Sequence, residues 1–322
     1  MITRRAVLSG AAAAAAAIAT RPISVFAEAS QPATPVNFDV PANACDCHTH
    51  IFDPARFPYS SVRTYTPEPA SIAEMERLHG ALRTPRVVIV QPSVYGTDNS
   101  CTVDALARLG ARARGVCVIH DATPERSLDE WHTAGIRGIR LNLETGGIAD
   151  PSIARRGFQH AVERIRARGW HIQMFTRLPV IASLEDLVMA APMPLVFDHF
   201  GSAQASLGPA QPGFDALVRL VRAGRAYVKI SAPYLVSTDA PAYADVGVLA
   251  RALVSANAER ILWATNWPHP DSAQVPGRKA TDLAPLRRVD DGMILNQLAR
   301  WVPDAATRQT ILVTNPARLY GF

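Results

Sequence analysis

Eight short runs of β-branched and apolar residues alternate with longer helical patterns from residue 44 onward, and this alternation constrains the fold more than any other feature. Runs such as RVVIV and PLVF indicate parallel strands that are buried on both faces. Eight strand–helix units in about 280 residues predict an α/β fold, a single-domain (β/α)8 TIM barrel. The predicted strands cover 44–50, 86–92, 114–120, 136–143, 171–176, 194–200, 226–231 and 261–266.

Helical periodicity fills the segments between these strands. Ser71 and Glu74 have the spacing of a capping box at the start of the first helix. An open doubly wound sheet is the alternative fold, but no glycine-rich phosphate turn follows the first strand, so we favour one barrel over residues 44–322. The predicted helices lie near 71–82, 101–112, 125–134, 152–168, 183–191, 212–223, 240–257 and 285–301.

The first 29 residues have the features of a cleavable twin-arginine signal peptide. Arg4-Arg5 precedes an alanine-rich apolar run, and Ala27-Glu28-Ala29 offers small residues for cleavage before Ser30. The run is short and alanine-rich for a membrane anchor, which is the alternative. We therefore expect a periplasmic protein that is free of the membrane after cleavage. Residues 30–43 are expected to form a flexible lead-in, because they contain prolines and little periodicity.

Composition narrows the range of partners. The 322-residue chain has a formal net charge of +5, and its basic residues are scattered rather than clustered, so a nucleic-acid partner is not expected. Its four cysteines lack the paired spacing of zinc ligands, and we expect them to act as small apolar side chains. A small molecule is the expected partner, and the sequence leaves the oligomeric state open.

Polar side chains gather at the carboxyl ends of the predicted strands, where catalytic groups of such barrels lie. His48 and His50 share one face of the first strand, because side chains alternate along a strand. A lone His-x-His is a weak signal, but three histidines, an arginine and an amide at one mouth predict an active site. The other strand-end residues are Gln91, Ser93, Arg140, Asn142, His199, Lys229, Ser231, Asn266 and His269.

Six segments resemble the amidohydrolase superfamily: DCHTHIFDP, VIVQPSVYGTDN, GIRGIRLN, FDHFG, ILWATNWPHP and TNPARLYGF. The branch that they resemble most contains 2-pyrone-4,6-dicarboxylate lactonase and related sulfomuconolactone and sugar-lactone hydrolases. This resemblance implies a (β/α)8 barrel that hydrolyses a lactone. It also implies that His48, His50 and His199 surround the substrate carbonyl oxygen, that Arg140 pairs with a substrate anion, and that Tyr65 reaches the substrate.

The chain departs from this family at functional positions. The family motif after strand 8 reads Thr-Asp-Trp-Pro-His-Pro, and its Asp is the general base that activates water. Asn266 stands there in this chain, and an amide cannot accept the proton. The 2-pyrone-dicarboxylate enzymes also have substrate-binding arginines at three positions and an active-site tyrosine at a fourth, which align with Gly146, Ser202, Leu235 and Phe175. These losses favour a different lactone as the substrate.

A metal cofactor is not expected. Metal-dependent members of the superfamily add ligands on strands 4 and 5, at positions that this chain fills with other residues. His48 and His50 beside the neutral Asn266 would hold Zn²⁺ or Mn²⁺ poorly, because an amide brings no charge to offset desolvation of the ion. If one such ion does bind, those two histidines are its expected ligands.

The resulting hypothesis is a hydrolase that opens the ring of a small anionic lactone, in a form that Asn266 slows or inactivates. Ser93, Asn142 and His269 are further candidates for substrate contact, and His269 is the candidate for a substitute base. Two alternatives stay open. One is a non-catalytic periplasmic lactone-binding protein, and the other is a lactone isomerase or decarboxylase on the same barrel.

Overall fold

The computed structural model describes residues 28–273 and 275–322, and in them it confirms all eight predicted strands. Each strand pairs in parallel with its neighbours in chain order. The buried side chains of β2 occupy both faces, as its run of valines and isoleucine requires. The strands are β1 (Cys45–Thr49), β2 (Arg86–Val90), β3 (Ala113–Cys117), β4 (Ile136–Asn142), β5 (His171–Phe175), β6 (Leu195–Phe197), β7 (Ala226–Ser231) and β8 (Ile261–Ala264).

Contacts between β1 and the loop after β8 join the two ends of the sheet. The backbone amide of Asn266 donates to the carbonyl of His48 at 2.9 Å, and that of His50 donates to the carbonyl of Trp267 at 2.8 Å. Thr49 also forms a parallel bridge with Trp267. The eight strands thus form a nearly closed barrel, and the predicted α/β single-domain architecture is confirmed.

Helices follow the strands. Ser71 and Glu74 form the predicted capping box, which fixes the start of the first helix. Among the described residues, no helix is long and apolar enough to cross a membrane. The α-helices of the described part are α1 (Ile72–Leu82), α2 (Ser100–Leu109), α3 (Glu125–Ala134), α4 (Pro151–Ile165), α5 (Leu178–Ser183), α6 (Glu185–Ala190), α7 (Phe214–Arg222), α8 (Gly247–Asn257), α9 (Asp291–Trp301), α10 (Ala305–Gln309) and α11 (Asn315–Tyr320).

Three predicted helices differ from the observed elements. The helix expected over 240–257 begins only at Gly247. The helix expected over 285–301 begins only at Asp291, because Asp290 is its N-cap and accepts from the amides of the first turn. Leu283–Ala284 instead pairs with Thr66–Pro67 in a small second sheet. The helix expected over 183–191 is α6 alone, and a separate helix, α5, precedes it.

The lead-in segment is packed against the barrel rather than flexible. Trp267 donates its indole N–H to the carbonyl of Ser30 at 3.1 Å, and the Thr34 hydroxyl donates to Asp290 at 2.6 Å. The Asn37 amide donates to the Asn296 side chain at 2.9 Å. These partners explain why a segment without periodicity is nevertheless ordered. Most of the predicted signal peptide, residues 1–27, lies outside the described residues.

Candidate active site

Three histidines meet at the carboxyl end of the barrel. The ring of His48 lies 4.9 Å from that of His50 and 4.8 Å from that of His199, measured between centroids. His48 and His50 share one face of β1 as predicted, and His199 follows β6. All three side chains are buried. The structure therefore brings together the three histidines that the sequence singles out.

A hydrogen bond to Nδ1 assigns the tautomer of the His50 ring. His50 donates from Nδ1 to the carbonyl of Val90 at 2.8 Å, and burial lowers its pKa to about 3, so Nε2 carries only a lone pair. His199 contacts the Ser231 hydroxyl through Nδ1 at 2.8 Å. Burial lowers the pKa of His199 to about 3 as well.

Nδ1 of His48 lies between two charged groups, 3.3 Å from Nζ of Lys229 and 3.2 Å from a carboxylate oxygen of Asp198. The Nε2 atom of His48 is buried without a protein partner. The expectation that the three histidines surround a substrate carbonyl oxygen stays a prediction.

A buried charge network lies beneath the histidines. Asp198 approaches Lys229 at 3.4 Å, Arg140 at 3.4 Å and Nδ1 of His48 at 3.2 Å. Gln173 donates to Asp198 at 3.0 Å and accepts from Lys229 at 2.6 Å. Burial alone would raise the pKa of Asp198, but His48, Lys229 and Arg140 together hold it well below its usual range. The network keeps a carboxylate ionised in the barrel interior, and it fixes the orientation of His48.

Arg140, Tyr65 and Ser93 form a polar group beside the histidines. Arg140 is 6% exposed; besides Asp198 it contacts the carbonyl of Gln91 at 3.4 Å, and its Nε has no protein partner. Burial raises the pKa of Tyr65 to about 12, and Ser93 and Arg140 oppose this shift. Their roles as substrate contacts stay predictions.

Asn266 is linked to a chain of side chains behind it. Its φ of 65° lies in the left-handed region, which asparagine tolerates better than most residues. Its Nδ2 donates to the Tyr234 hydroxyl at 2.8 Å, whereas its Oδ1 is buried without a protein partner. The Tyr234 hydroxyl is 3.3 Å from Nδ1 of His269, and Nε2 of His269 is 2.9 Å from Asp291.

Two predicted substrate contacts have protein partners in this structure. Nδ1 of His269 is 3.3 Å from the Tyr234 hydroxyl and Nε2 is 2.9 Å from Asp291, and a direct contact between His269 and the substrate stays a prediction. Asn142 uses its side-chain oxygen to accept from the amide of Thr145 at 3.1 Å, which holds the turn after β4.

A cavity of about 900 Å³ opens at this end of the barrel. Phe175 lines it and also contacts His199 edge-on, at 5.0 Å between ring centroids, so this side chain connects the cavity wall to the histidine cluster. Ser202 and Leu235, two of the positions where related enzymes have arginines, line it too. Arg177 and Arg287 supply cations from other positions of the wall. The volume suits a small organic ligand.

Several residues of the site were not predicted as such. Asp198 stands directly before His199 in the FDHFG segment, and Gln173 points inward from the middle of β5. Tyr234 and Asp291 lie on a loop and a helix start, where no strand-end rule would find them. The signal for Asp198 was its place at the end of a strand, directly before a predicted active-site histidine.

The donor atoms do not fit a tightly bound divalent cation. Among the described residues one group could hold an ion, namely His48, Asp198 and His199, whose ligand atoms lie within 4.8 Å of one another. Asp198 already faces two cations, Lys229 and Arg140, so the group has no net negative charge to offset the desolvation of a metal ion. Asn266 adds no charge.

Comparisons with known proteins agree with this geometry. The family model described as Amidohydrolase matches residues 45–322. The 4-sulfomuconolactone hydrolase of Rhizobium radiobacter is 34% identical over 291 residues, which is 89% of this chain and 93% of that protein. The 2-pyrone-4,6-dicarboxylate hydrolase of Comamonas testosteroni is 32% identical over 305 residues, covering 92% and 94% of the two chains.

A solved structure has the same fold. An apo crystal structure from Agrobacterium tumefaciens superimposes with a TM-score of 0.76 at 26% identity and covers 90% of this chain and 99% of that one. The barrel, the histidine cluster at its carboxyl end and the relatives that match nearly the full length lead to one assignment. This chain is an enzyme of the amidohydrolase family, with hydrolases of lactone rings among its relatives.

Proposed function

We propose that this protein hydrolyses the ring ester of a small anionic lactone, and that Asn266 slows the reaction. One observation carries the proposal: three buried histidines and a buried arginine meet at the carboxyl end of the barrel, and Phe175, which contacts His199 and Arg140, lines a cavity that suits a small organic ligand. The lactone hydrolases among the relatives support the reaction class.

Each group has a role that its protonation state allows. His48 donates from Nε2 to the carbonyl oxygen as negative charge develops on it, which is a contribution of several kcal/mol in such sites. Nε2 of His50 and the Oδ1 atom of Asn266 present acceptors beside the site of the attacking water. Arg140 pairs with the acidic group of the substrate, with the Tyr65 and Ser93 hydroxyls beside it.

The substrate is an anion other than 2-pyrone-4,6-dicarboxylate. Arg177 and Arg287 line the cavity wall, but Arg177 is paired with Glu144 at 2.6 Å and Arg287 with Asp271 at 2.7 Å, whereas Arg140 keeps an Nε without a protein partner. One acidic group on the lactone therefore matches the free cationic capacity better than two. A carboxylate or sulfonate both fit the planar guanidinium of Arg140.

Activity of the Asn266→Asp variant tests the proposal. Asparagine and aspartate are nearly isosteric, but only the carboxylate accepts a proton from water, and general-base catalysis typically contributes about 10²–10⁴-fold. We expect kcat on at least one anionic lactone to rise by that order, with substrate affinity within about tenfold. The gain should appear only above the pKa of the new carboxylate, as a rising acid limb in the pH–rate profile.

Three outcomes would replace this proposal. Binding of intact lactone without turnover by either form would identify a binding protein. A product that keeps the ring ester or loses CO₂ would identify an isomerase or a decarboxylase. Equal rates for the two forms would show that another group already accepts the proton.

A further inference from the structure

The side chains behind Asn266 form a directed chain of hydrogen bonds. Asn266 donates from Nδ2 to the oxygen of Tyr234, Tyr234 can then donate only to Nδ1 of His269, and His269 donates from Nε2 to Asp291. Each link uses a donor and an acceptor, so one tautomer of His269 satisfies all of them. The chain ends at a carboxylate that is 1% exposed.

We propose that Tyr234, His269 and Asp291 form a proton relay that accepts the proton of the attacking water, in place of the carboxylate that Asn266 replaces. The inference rests on the proposed lactone hydrolysis and names the group that makes it possible in this chain. Tyr234 is the proposed catalytic residue, because its oxygen lies 2.8 Å from Nδ2 of Asn266, the residue at the general-base position. His269 and Asp291 act through it.

The proton transfers balance without an external acid or base. Water forms a bond to the lactone carbonyl carbon and passes one proton to the Tyr234 oxygen, while Tyr234 passes its own proton to Nδ1 of His269. The carbonyl electron pair moves to the oxygen, and His48 stabilises it. When the ring C–O bond breaks, Tyr234 returns a proton to the leaving oxygen and recovers one from His269. The products are an alcohol and a carboxylic acid, which then ionises.

The surroundings favour this path over a free tyrosinate. Burial raises the pKa of Tyr234, so its proton must leave in the same step in which the proton of water arrives. The guanidinium of Arg287 lies 5.7 Å from the centre of the Tyr234 ring, where its charge opposes that burial effect. Burial also raises the pKa of Asp291, with His269 opposing the shift. Tyr234 is half-buried, whereas His269 is fully buried, so the tyrosine is the nearer of the two to solvent.

The test compares Tyr234→Phe and Asp291→Asn in two backgrounds. In the natural Asn266 chain, Tyr234→Phe should lower kcat by about 10²-fold and Asp291→Asn by about tenfold, with KM within about threefold. In the Asn266→Asp background, where a carboxylate takes the proton, each change should lower kcat less than about threefold. Tyr227→Phe, at the other end of the barrel strand that precedes Tyr234, is the matched control and should leave kcat unchanged.

A solvent isotope measurement separates a relay from a structural role. A plot of kcat against the deuterium fraction should curve for the Asn266 chain, because two protons move together, and should be closer to linear for Asn266→Asp.

Equal losses of kcat in both backgrounds, or a rise in KM at constant kcat, would overturn the relay and make Tyr234 and Asp291 structural supports. Activity in Asn266→Asp with none in the Asn266 chain would also overturn it. Failure of both forms on every anionic lactone would refute the proposed function instead.

Discussion

At the scale of single residues, Arg140 combines burial with unused donors. It has one long contact with Asp198 and one with a carbonyl, both at 3.4 Å, and its Nε has no protein partner. A buried guanidinium with free N–H groups is unfavourable unless a ligand completes its hydrogen bonds. This environment is what a receptor for a substrate anion requires.

Arg140→Ala should therefore impair anionic substrates selectively. We expect a loss of about 2–4 kcal/mol in kcat/KM for a lactone that bears a carboxylate or sulfonate, from a charge-assisted pair at a buried site. A neutral lactone with the same ring is the matched control and should lose far less. Steady-state kinetics on the anionic and the neutral lactone measures both losses in kcat/KM. Equal losses would make Arg140 a structural partner of Asp198.

Chelation tests the charge argument at the histidine cluster. Because Lys229 and Arg140 already neutralise Asp198, we expect no tightly bound metal, and prolonged dialysis against a chelator should change kcat/KM by less than about twofold. Metal analysis of the purified protein provides the second readout. If dialysis lowers kcat/KM and one equivalent of Zn²⁺ or Mn²⁺ restores it, then His48, Asp198 and His199 hold an ion.

At the scale of elements, Asp46 joins the first strand to the loop after the last. Its carboxylate accepts from the amide of Thr265 at 3.0 Å, from the Thr265 hydroxyl at 2.6 Å and from the amide of His48 at 3.2 Å. His79 of α1 lies 3.2 Å from the same carboxylate. The Asp46 side chain is fully buried, so no water can replace its carboxylate as the acceptor for these donors.

Asp46→Ala should lower the free energy of unfolding by about 2–4 kcal/mol, because it leaves several buried donors without an acceptor. Urea unfolding followed by tryptophan fluorescence measures the change. Asp304→Ala, which removes an exposed helix cap, is the control and should cost about 1 kcal/mol. A smaller effect for Asp46 than for Asp304 would mean that the barrel closes without this carboxylate.

The strand-end rule explains which parts of the site the sequence could predict. His48, His50, Arg140 and His199 were found because a strand fixes both their depth and their face. The tautomers depend on Nδ1 partners from other strands, and no local pattern contains them. Tyr234 and Asp291 are brought to Asn266 by tertiary packing of a loop and a helix start, which periodicity cannot report.

At the scale of the whole molecule, residues 29–40 belong to the barrel. Ser30 contacts Trp267 beside the active site, and Thr34 contacts Asp290 at the start of α9, next to Asp291. The sequence predicted a loose lead-in because the segment has no internal periodicity. Its order comes from hydrogen bonds to partners more than 230 positions away in the chain, as happens wherever an irregular segment has polar partners on a folded surface.

We propose that the chain is exported by the twin-arginine route and cut before Ser30. Such a cut would keep the Ser30 carbonyl and the Thr34 side chain, and therefore the contacts that fasten the segment beside the active site. Mass spectrometry of the protein from the periplasm should find an N-terminus near Ser30. Replacement of Arg4 and Arg5 together by lysine should leave uncut protein in the cytoplasm, whereas Arg21→Lys, outside the paired motif, should not. Periplasmic protein that retains Met1 or Arg21 would refute cleavage and favour a retained anchor.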